Sequence, residues 1–326
     1  HASVREASAM NEIANLYQTV AHSAPSMGGT LSVFITAEPL RSVQAQIDAR
    51  RTAQRVETWA ARLTRFNDAS HLSHLNSAAE SRVPVRPTLA AALHWAKTAE
   101  RRSEGVVDST LLDARLAAES ATPLEPSPTL SGWAWQLLGN PRDSIVERDP
   151  GVRLDLDGTA KGWIADRAAD LLARWPGVVV DADGDIALRA DRGIEWLIDV
   201  ADPRLEADGV EPPPLATLKL RGGTSWTASF GVATSGTSVH RWQLADGRPT
   251  HHLIDRRTRL PAETDVVQAT VVAPSARDAE MIAKSAVILG SHEALGFLAR
   301  SAALAAILLL EDGSVVILPG VEAWLA

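Results

Sequence analysis

Cysteine is absent from all 326 residues. That excludes disulfides, thiolate metal ligands and a cysteine nucleophile, and it leaves the redox compartment undetermined. Lysine occurs only four times, against abundant Ala, Arg and Trp; the bias suits a GC-rich genome and says nothing of activity. No apolar run approaches the roughly 20 residues needed to span a bilayer, and the longest, 302–310, is about half that length. Nor does His1 open a charged region followed by an apolar one, the pattern of a secretory leader. The reading is therefore no signal peptide and a cytoplasmic location, the alternative being export with a leader trimmed ahead of His1. The net charge of −8 and a pI near 5.6 argue against nucleic acid and anionic membrane surfaces as partners. A phosphorylated ligand would need a local cation, from Lys, Arg or a metal.

What is present suits a globular protein with a sizeable core: 45% hydrophobic and 22% charged residues. The first 25 residues read as a mixed amphipathic helix and loop. Leu31 to Thr36 is a strand, and Leu40 to Leu63 is a long helix with apolar positions at Val43, Ile47, Val56, Trp59, Ala60 and Leu63. A helix over 89–103 follows with Thr88 as N-cap, and the proline-rich stretch 121–129 is a loop. Val152, Leu154 and Leu156 alternate as a strand would, and a helix follows over 165–174. Further strands are expected at 178–180, 196–200, 215–221, 231–233 and 266–273. Pro212 to Pro214 form an extended connector, and a helix over 278–289 has Ser275 as N-cap. The chain closes with strands at 307–310 and 315–318. Strands and helices do not alternate regularly, so the expected class is α+β rather than a doubly wound parallel sheet.

Chemistry concentrates in a few clusters. Asp155 to Asp166 runs from the alternating segment through Gly158, Lys161 and Gly162 into a helix, an order that lets backbone and ammonium approach a phosphate or simply connects two elements. Asp181, Asp183 and Asp185 with Gly184 follow a buried strand; they could hold a ribose or metal, or form a solvated turn. Thr234-Ser235-Gly236, with Arg241 close behind, reads as a phosphate nest or a capped turn. His251 and His252 precede Asp255-Arg256-Arg257 as structural histidines or diphosphate contacts. Glu280 and Lys284, four apart on a helix, form an ordinary surface pair on spacing alone.

Taken in order, these clusters resemble the FAD:protein FMN transferase family, the ApbE-type flavin transferases. The likeness runs from Met27-Gly28-Gly29-Thr30, through Thr64-Arg65-Phe66 and Ser70 to Asn76, to Gly105-Val106-Val107-Asp108. It continues through Asp155 to Asp166, Thr234-Ser235-Gly236 with Arg241, and His252-Leu253-Ile254-Asp255 with Thr258. The resemblance implies one α+β domain over 26–326, with mixed sheets, flanking helices and an FAD cleft between subdomains. It implies an enzyme that moves FMN from FAD onto a Ser or Thr hydroxyl of an acceptor flavoprotein and releases AMP, assisted by Mg²⁺. By carry-over, Phe66 stacks on the isoalloxazine, and Met27, Asp108, Asp181, Asp183 and Asp185 line the FAD site. Thr234, Ser235, Arg241 and Lys161 lie near the phosphates. His252 is the base or a diphosphate contact, Asp255 orients it, and the Ala160 carbonyl and Glu280 hold the metal.

Several positions depart from the family pattern. Asp157-Gly158 and Asp183-Gly184 stand where Gly-Gly is usual, Arg256 replaces proline and Arg259 replaces glycine. At the metal helix Asp-x-x-x-Thr becomes Glu280-x-x-x-Lys284; Glu remains a hard oxygen ligand, whereas an ammonium cannot coordinate Mg²⁺. Weaker Mg²⁺ binding with retained FAD binding is the expectation. Mg-dependent hydrolysis of FAD to FMN and AMP, and a non-catalytic flavin binder with a degraded metal site, are the alternative functions.

Overall fold

The structure, a computed structural model, describes residues 2–6, 16–120, 134–140, 142–205, 212–223, 227–238, 241–243, 249–318 and 320–326. The expected loop over 121–129 lies outside them. The main sheet has eight strands, numbered here along the chain. They are β1 (Gln18–Ser26), β2 (Gly29–Ala37), β3 (Gly177–Ala182), β4 (Asp185–Ala190), β5 (Ala228–Gly236), β6 (Val266–Ala273), β7 (Ala305–Leu310) and β8 (Val315–Ile317). Their spatial order is their chain order, and each neighbouring pair is antiparallel. The helices are α1 (Ser42–Leu63), α2 (His71–Ser77), α3 (Pro87–Arg102), α4 (Leu112–Glu119), α5 (Ala160–Leu171) and α6 (Ala276–Arg300).

Both faces of the sheet are covered, which is why Val178-Val179-Val180 reads as an unbroken apolar run. Val178 and Val180 pack with the helices in one core. Val179 joins Ile186, Leu188 and Val232 in a second core. That second core is closed by a three-stranded sheet of Ala2–Glu6, Glu195–Val200 and Ala216–Arg221, where Trp196 is buried. The result is an α+β sandwich with helices on one side of the main sheet and a small sheet on the other.

Several local expectations are corrected. The N-terminal helix and loop are replaced, in the described part of 1–25, by the Ala2–Glu6 strand and β1. Strand β1 is held by a full hairpin to β2, Gln18 opposite Ala37 through Ser26 opposite Gly29. In α1 the buried stripe runs through Ala45, Ala49, Thr52, Ala53 and Val56, while Val43 and Ile47 are exposed. Small side chains let that helix lie close on the sheet, a demand of packing that hydrophobicity does not reveal. Pro87, not Thr88, opens α3; a proline at the first helical position lacks only an N–H that would have no helical partner. Ser275 does cap α6, accepting the Asp278 N–H at 3.3 Å. That helix runs past Leu289 to Arg300 through a kink at Gly290, φ 72°. By length and composition it could cross a membrane, but 61% of its apolar window is buried inside this fold, so it is a core helix.

Candidate active site

The expected strand over 152–156 is absent, yet Val152, Leu154 and Leu156 are all buried. The backbone there is clamped by a side chain instead of a neighbouring strand. Asn76 Nδ2 donates to the Leu154 carbonyl and Asn76 Oδ1 accepts the Leu154 N–H, each at 2.8 Å. The Asp155 N–H donates to the Ser109 carbonyl at 2.8 Å. Helix α5 then begins at Ala160, five residues before the expected start, so Lys161 and Gly162 belong to its first turn.

The two glycines around Lys161 have different tasks. A Cβ on Gly162 would lie 2.7 Å from the Ala276 carbonyl oxygen, so this glycine lets α5 and α6 touch. A Cβ on Gly158 would occupy the space filled by the Lys284 ammonium. Asp166, the last residue of the motif, accepts the N–H groups of Ala276 at 2.9 Å and Arg277 at 3.2 Å, so it ties α5 to the start of α6. Burial pushes its carboxyl up to about 6.

A charged cluster forms where α5, α6 and the β3–β4 hairpin meet. Lys161 Nζ lies 3.2 Å from Asp185 Oδ2, and Asp185 is 4% exposed. Glu280, also buried, accepts the Gly162 N–H at 3.0 Å. Burial, then the nearby Asp185, pushes the Glu280 carboxyl up to about 8, against the pull of Lys284 and Lys161. Asp185 strongly raises the affinity of Lys161 for its proton.

Asp157 pairs with Arg115 at 3.2 Å. Burial alone would raise this carboxyl, but Arg115, Lys284 and His252 together hold it below its ordinary value. Neighbouring Asp155 is raised by burial and then by Asp157.

Two tight hairpins bring further residues to the same end of the sheet. Met27 and Gly28 (φ 53° and 85°) turn β1 into β2, and Asp183 and Gly184 (φ 60° and 90°) turn β3 into β4. Positive φ at both central positions marks type I′ turns, which accept Asp before Gly. The Asp183 side chain lies against Gly29 where a Cβ would be. Asp181 accepts the Gly184 N–H at 2.8 Å, and burial pushes its carboxyl up to about 6.

Beside the cluster is a narrow cavity of about 60 Å³ whose wall includes Asp108, Ser109, Arg115, Asp157, His252 and Lys284. Ser109 is buried, and its hydroxyl has no hydrogen-bond partner among the described residues. Across Val106 and Ile288 a hollow of about 480 Å³ adjoins it, lined by Arg256, Arg257 and Arg300 with His292 and Glu293. Arg256 stands between the two, 2.9 Å from Asp108 Oδ2.

The remaining sequence-predicted residues fall around this centre. Thr234 and Ser235 lie inside β5 rather than in a turn after it, one and two residues past Ala233, the partner of Asp185 in register. The Thr234 hydroxyl meets that of Thr270 at 2.9 Å, so the expected nest is a strand end. Arg241 lies in a short strand, opposite His251. Phe66 is 75% exposed, with the Arg65 guanidinium 4.1 Å from its ring centre. Arg65 and Arg115 share Glu119, each at 2.6 Å, which links Phe66 to the cavity wall. Asp255 accepts from the Arg257 backbone N–H and guanidinium. Arg115 donates to the His252 carbonyl at 3.4 Å. The two histidines of this segment part company. His251 is buried, its Nε2 donating to the Ala262 carbonyl at 3.1 Å while Nδ1 accepts the Leu253 N–H. Ser109 and Arg115 were not legible as site residues, because no sequence pattern ties them to 157 or 252.

The implied Mg²⁺ does not fit these residues. Lys284 carries three donors and no lone pair, and its ammonium lies over Gly158 beside Asp157 and Glu280. Glu280 is turned to the Gly162 N–H. Among the described residues no three His, Asp or Glu side chains form a group able to hold a metal ion.

This is an antiparallel α+β fold with an acid- and base-lined cleft at one end of its sheet. Comparison with known proteins identifies its class: residues 27–308 match the ApbE family, and the chain belongs to it. It is 29% identical over 174 residues to the FAD:protein FMN transferase of Treponema pallidum, covering 50% of this chain and 45% of that protein. A Klebsiella pneumoniae FAD:protein FMN transferase is 24% identical over 327 residues, covering 89% of this chain and 81% of that one. The match spans about half the length of several such relatives, for example 51% of the Salmonella typhimurium protein. Among solved structures, the ApbE protein of Thermotoga maritima superposes with TM-score 0.77 at 18% identity, covering 94% of this chain and 99% of that chain. The apo flavinyl transferase ApbE of Pseudomonas stutzeri does so with TM-score 0.72 at 20% identity, covering 94% and 96%.

Proposed function

We propose that this chain is an FAD:protein FMN transferase. FAD would lie in the cleft with its diphosphate toward Lys161 and Lys284 and its flavin toward Phe66 and Met27. A Ser or Thr hydroxyl of an acceptor protein attacks the phosphorus on the FMN side of the diphosphate. The new bond joins acceptor oxygen to phosphorus, the bridging P–O bond breaks, and AMP leaves with its electron pair. His252, on the cavity wall, takes the hydroxyl proton, and Arg115 holds the loop that carries it. The observation that carries this reading is the convergence of a histidine and a compact cation, His252 and Lys284, on one cavity from separate elements. No step is assigned to a metal ion.

The test is incubation with FAD and a peptide carrying Asp-x-x-(Ser/Thr)-Gly-Ala-(Ser/Thr), followed by in-gel flavin fluorescence. A fluorescent peptide is expected. Free FMN without labelled peptide would replace the reading by FAD hydrolysis, and neither product by a non-catalytic binder.

A further inference from the structure

The residue four positions after Glu280 on α6, where the family pattern has threonine, is itself a cation, Lys284. Only four lysines occur in the chain, against 28 arginines (32 − 4), and two of them, Lys161 and Lys284, act on the same buried carboxylates, Asp185 and Glu280. They arrive from different helices: Lys161 from the first turn of α5, with its ammonium 3.2 Å from Asp185, and Lys284 from α6, with its ammonium over Gly158. Gly158 is needed for that placement, since a Cβ would displace the ammonium. Lys284 also lines the cavity that holds Asp108 and His252. Arginine could not serve in the same way, because its planar fork is bulky where an ammonium is a compact point charge.

We propose that Lys284, with Lys161 behind it, supplies the positive charge at the diphosphate position, so that this cleft takes a dinucleotide diphosphate without a divalent metal ion. The proposal rests on the flavin dinucleotide reading above for the identity of the ligand. It does not depend on which hydroxyl accepts the FMN.

The experiment measures ligand binding by thermal shift and by quenching of flavin fluorescence, using the full chain. Pyrophosphate and FAD serve as separate probes, each in EDTA and in millimolar Mg²⁺. For the unsubstituted protein both probes are expected to bind in EDTA, with apparent affinities that change less than about twofold on adding Mg²⁺. Calorimetric titration with Mg²⁺ or Mn²⁺ should show no saturable site. In Lys284→Thr, which removes the ammonium and offers a hydroxyl oxygen, a Mn²⁺ site should appear and probe binding should become EDTA-sensitive by about tenfold or more. Lys284→Met keeps the chain length without the charge and should lose probe affinity with no gain of metal binding. Saturable Mg²⁺ binding by the unsubstituted protein, or FAD binding that requires Mg²⁺, would overturn the lysine proposal while leaving the flavin reading intact. Metal-free binding of pyrophosphate without binding of FAD would support the lysine proposal and remove the flavin reading.

Discussion

Two adjacent histidines show how little a residue type says without its surroundings. His251 is buried with both ring nitrogens engaged, and His252 forms part of the cavity wall. Replacing His252 by Asn should lower flavin transfer by about 10²–10⁴-fold while FAD still raises the melting temperature, the pattern of a lost general base. Loss of FAD binding together with turnover would instead make His252 a binding residue.

His251 predicts a pH effect of known sign. Burial, followed by Arg241, holds its pKa below the ordinary value, against the Ala262 hydrogen bond. The unfolded chain therefore binds the proton more readily, and this part of the stability is present above about pH 6.5 and is lost as pH falls from there toward the depressed folded value. The raised carboxyls of Asp166, Asp181 and Glu280 act with the opposite sign over this range, so the His251 contribution is read as a difference: the melting temperature of the unsubstituted protein relative to His251→Gln should fall as pH drops from 7.5 to 5. A difference that does not change with pH would assign the effect to other groups.

At the scale of elements, glycines separate packing from chemistry. Gly162 and Gly231 both face the start of α6: a Cβ on Gly162 would meet the Ala276 carbonyl carbon at 2.8 Å, and one on Gly231 would overlap the Ser275 and Ala276 backbone. Neither neighbour can yield, so Gly162→Ala should lose about 1–3 kcal/mol in urea denaturation. Gly158→Ala meets only the far end of Lys284, a flexible side chain that can move. Its stability should change by less than about 1 kcal/mol, while its affinity for FAD drops. Equal destabilisation by the two substitutions would contradict this division. The same segment marks a limit of pattern reading. The alternation of Val152, Leu154 and Leu156 reports burial correctly, but Asn76 supplies the backbone hydrogen bonds that a strand neighbour would have supplied.

At the scale of the molecule, one continuous core runs from Leu31 on β2 through α1, α3, α5 and α6 to Leu308 on β7. The helices inserted between β2 and β3 thus share a core with the sheet they interrupt. Thermal unfolding followed by far-ultraviolet circular dichroism and by Trp fluorescence should give coincident single transitions. Two resolved transitions would mean that the helical insert folds as a separate unit.

The α+β class, the long helix after residue 40, the core strands near 31–36, 178–180 and 266–273, and the family likeness were determined by the sequence itself, because they rest on local periodicity and on the order of short motifs. Strand β4 and the strands Arg82–Val85, Trp135–Asn140 and Asp143–Arg148 were not. The tertiary structure decided what those motifs do. Gly162 and Asp166 became contacts between helices, Thr234 became part of a strand, and Lys284 came to rest over Gly158. Arg115 and Ser109 joined Asp157 at the cleft, across more than 40 residues of chain. The physical reason is that spacing along a chain orders only near neighbours. Which charge meets which carboxylate depends on how the inserted helices pack against the sheet.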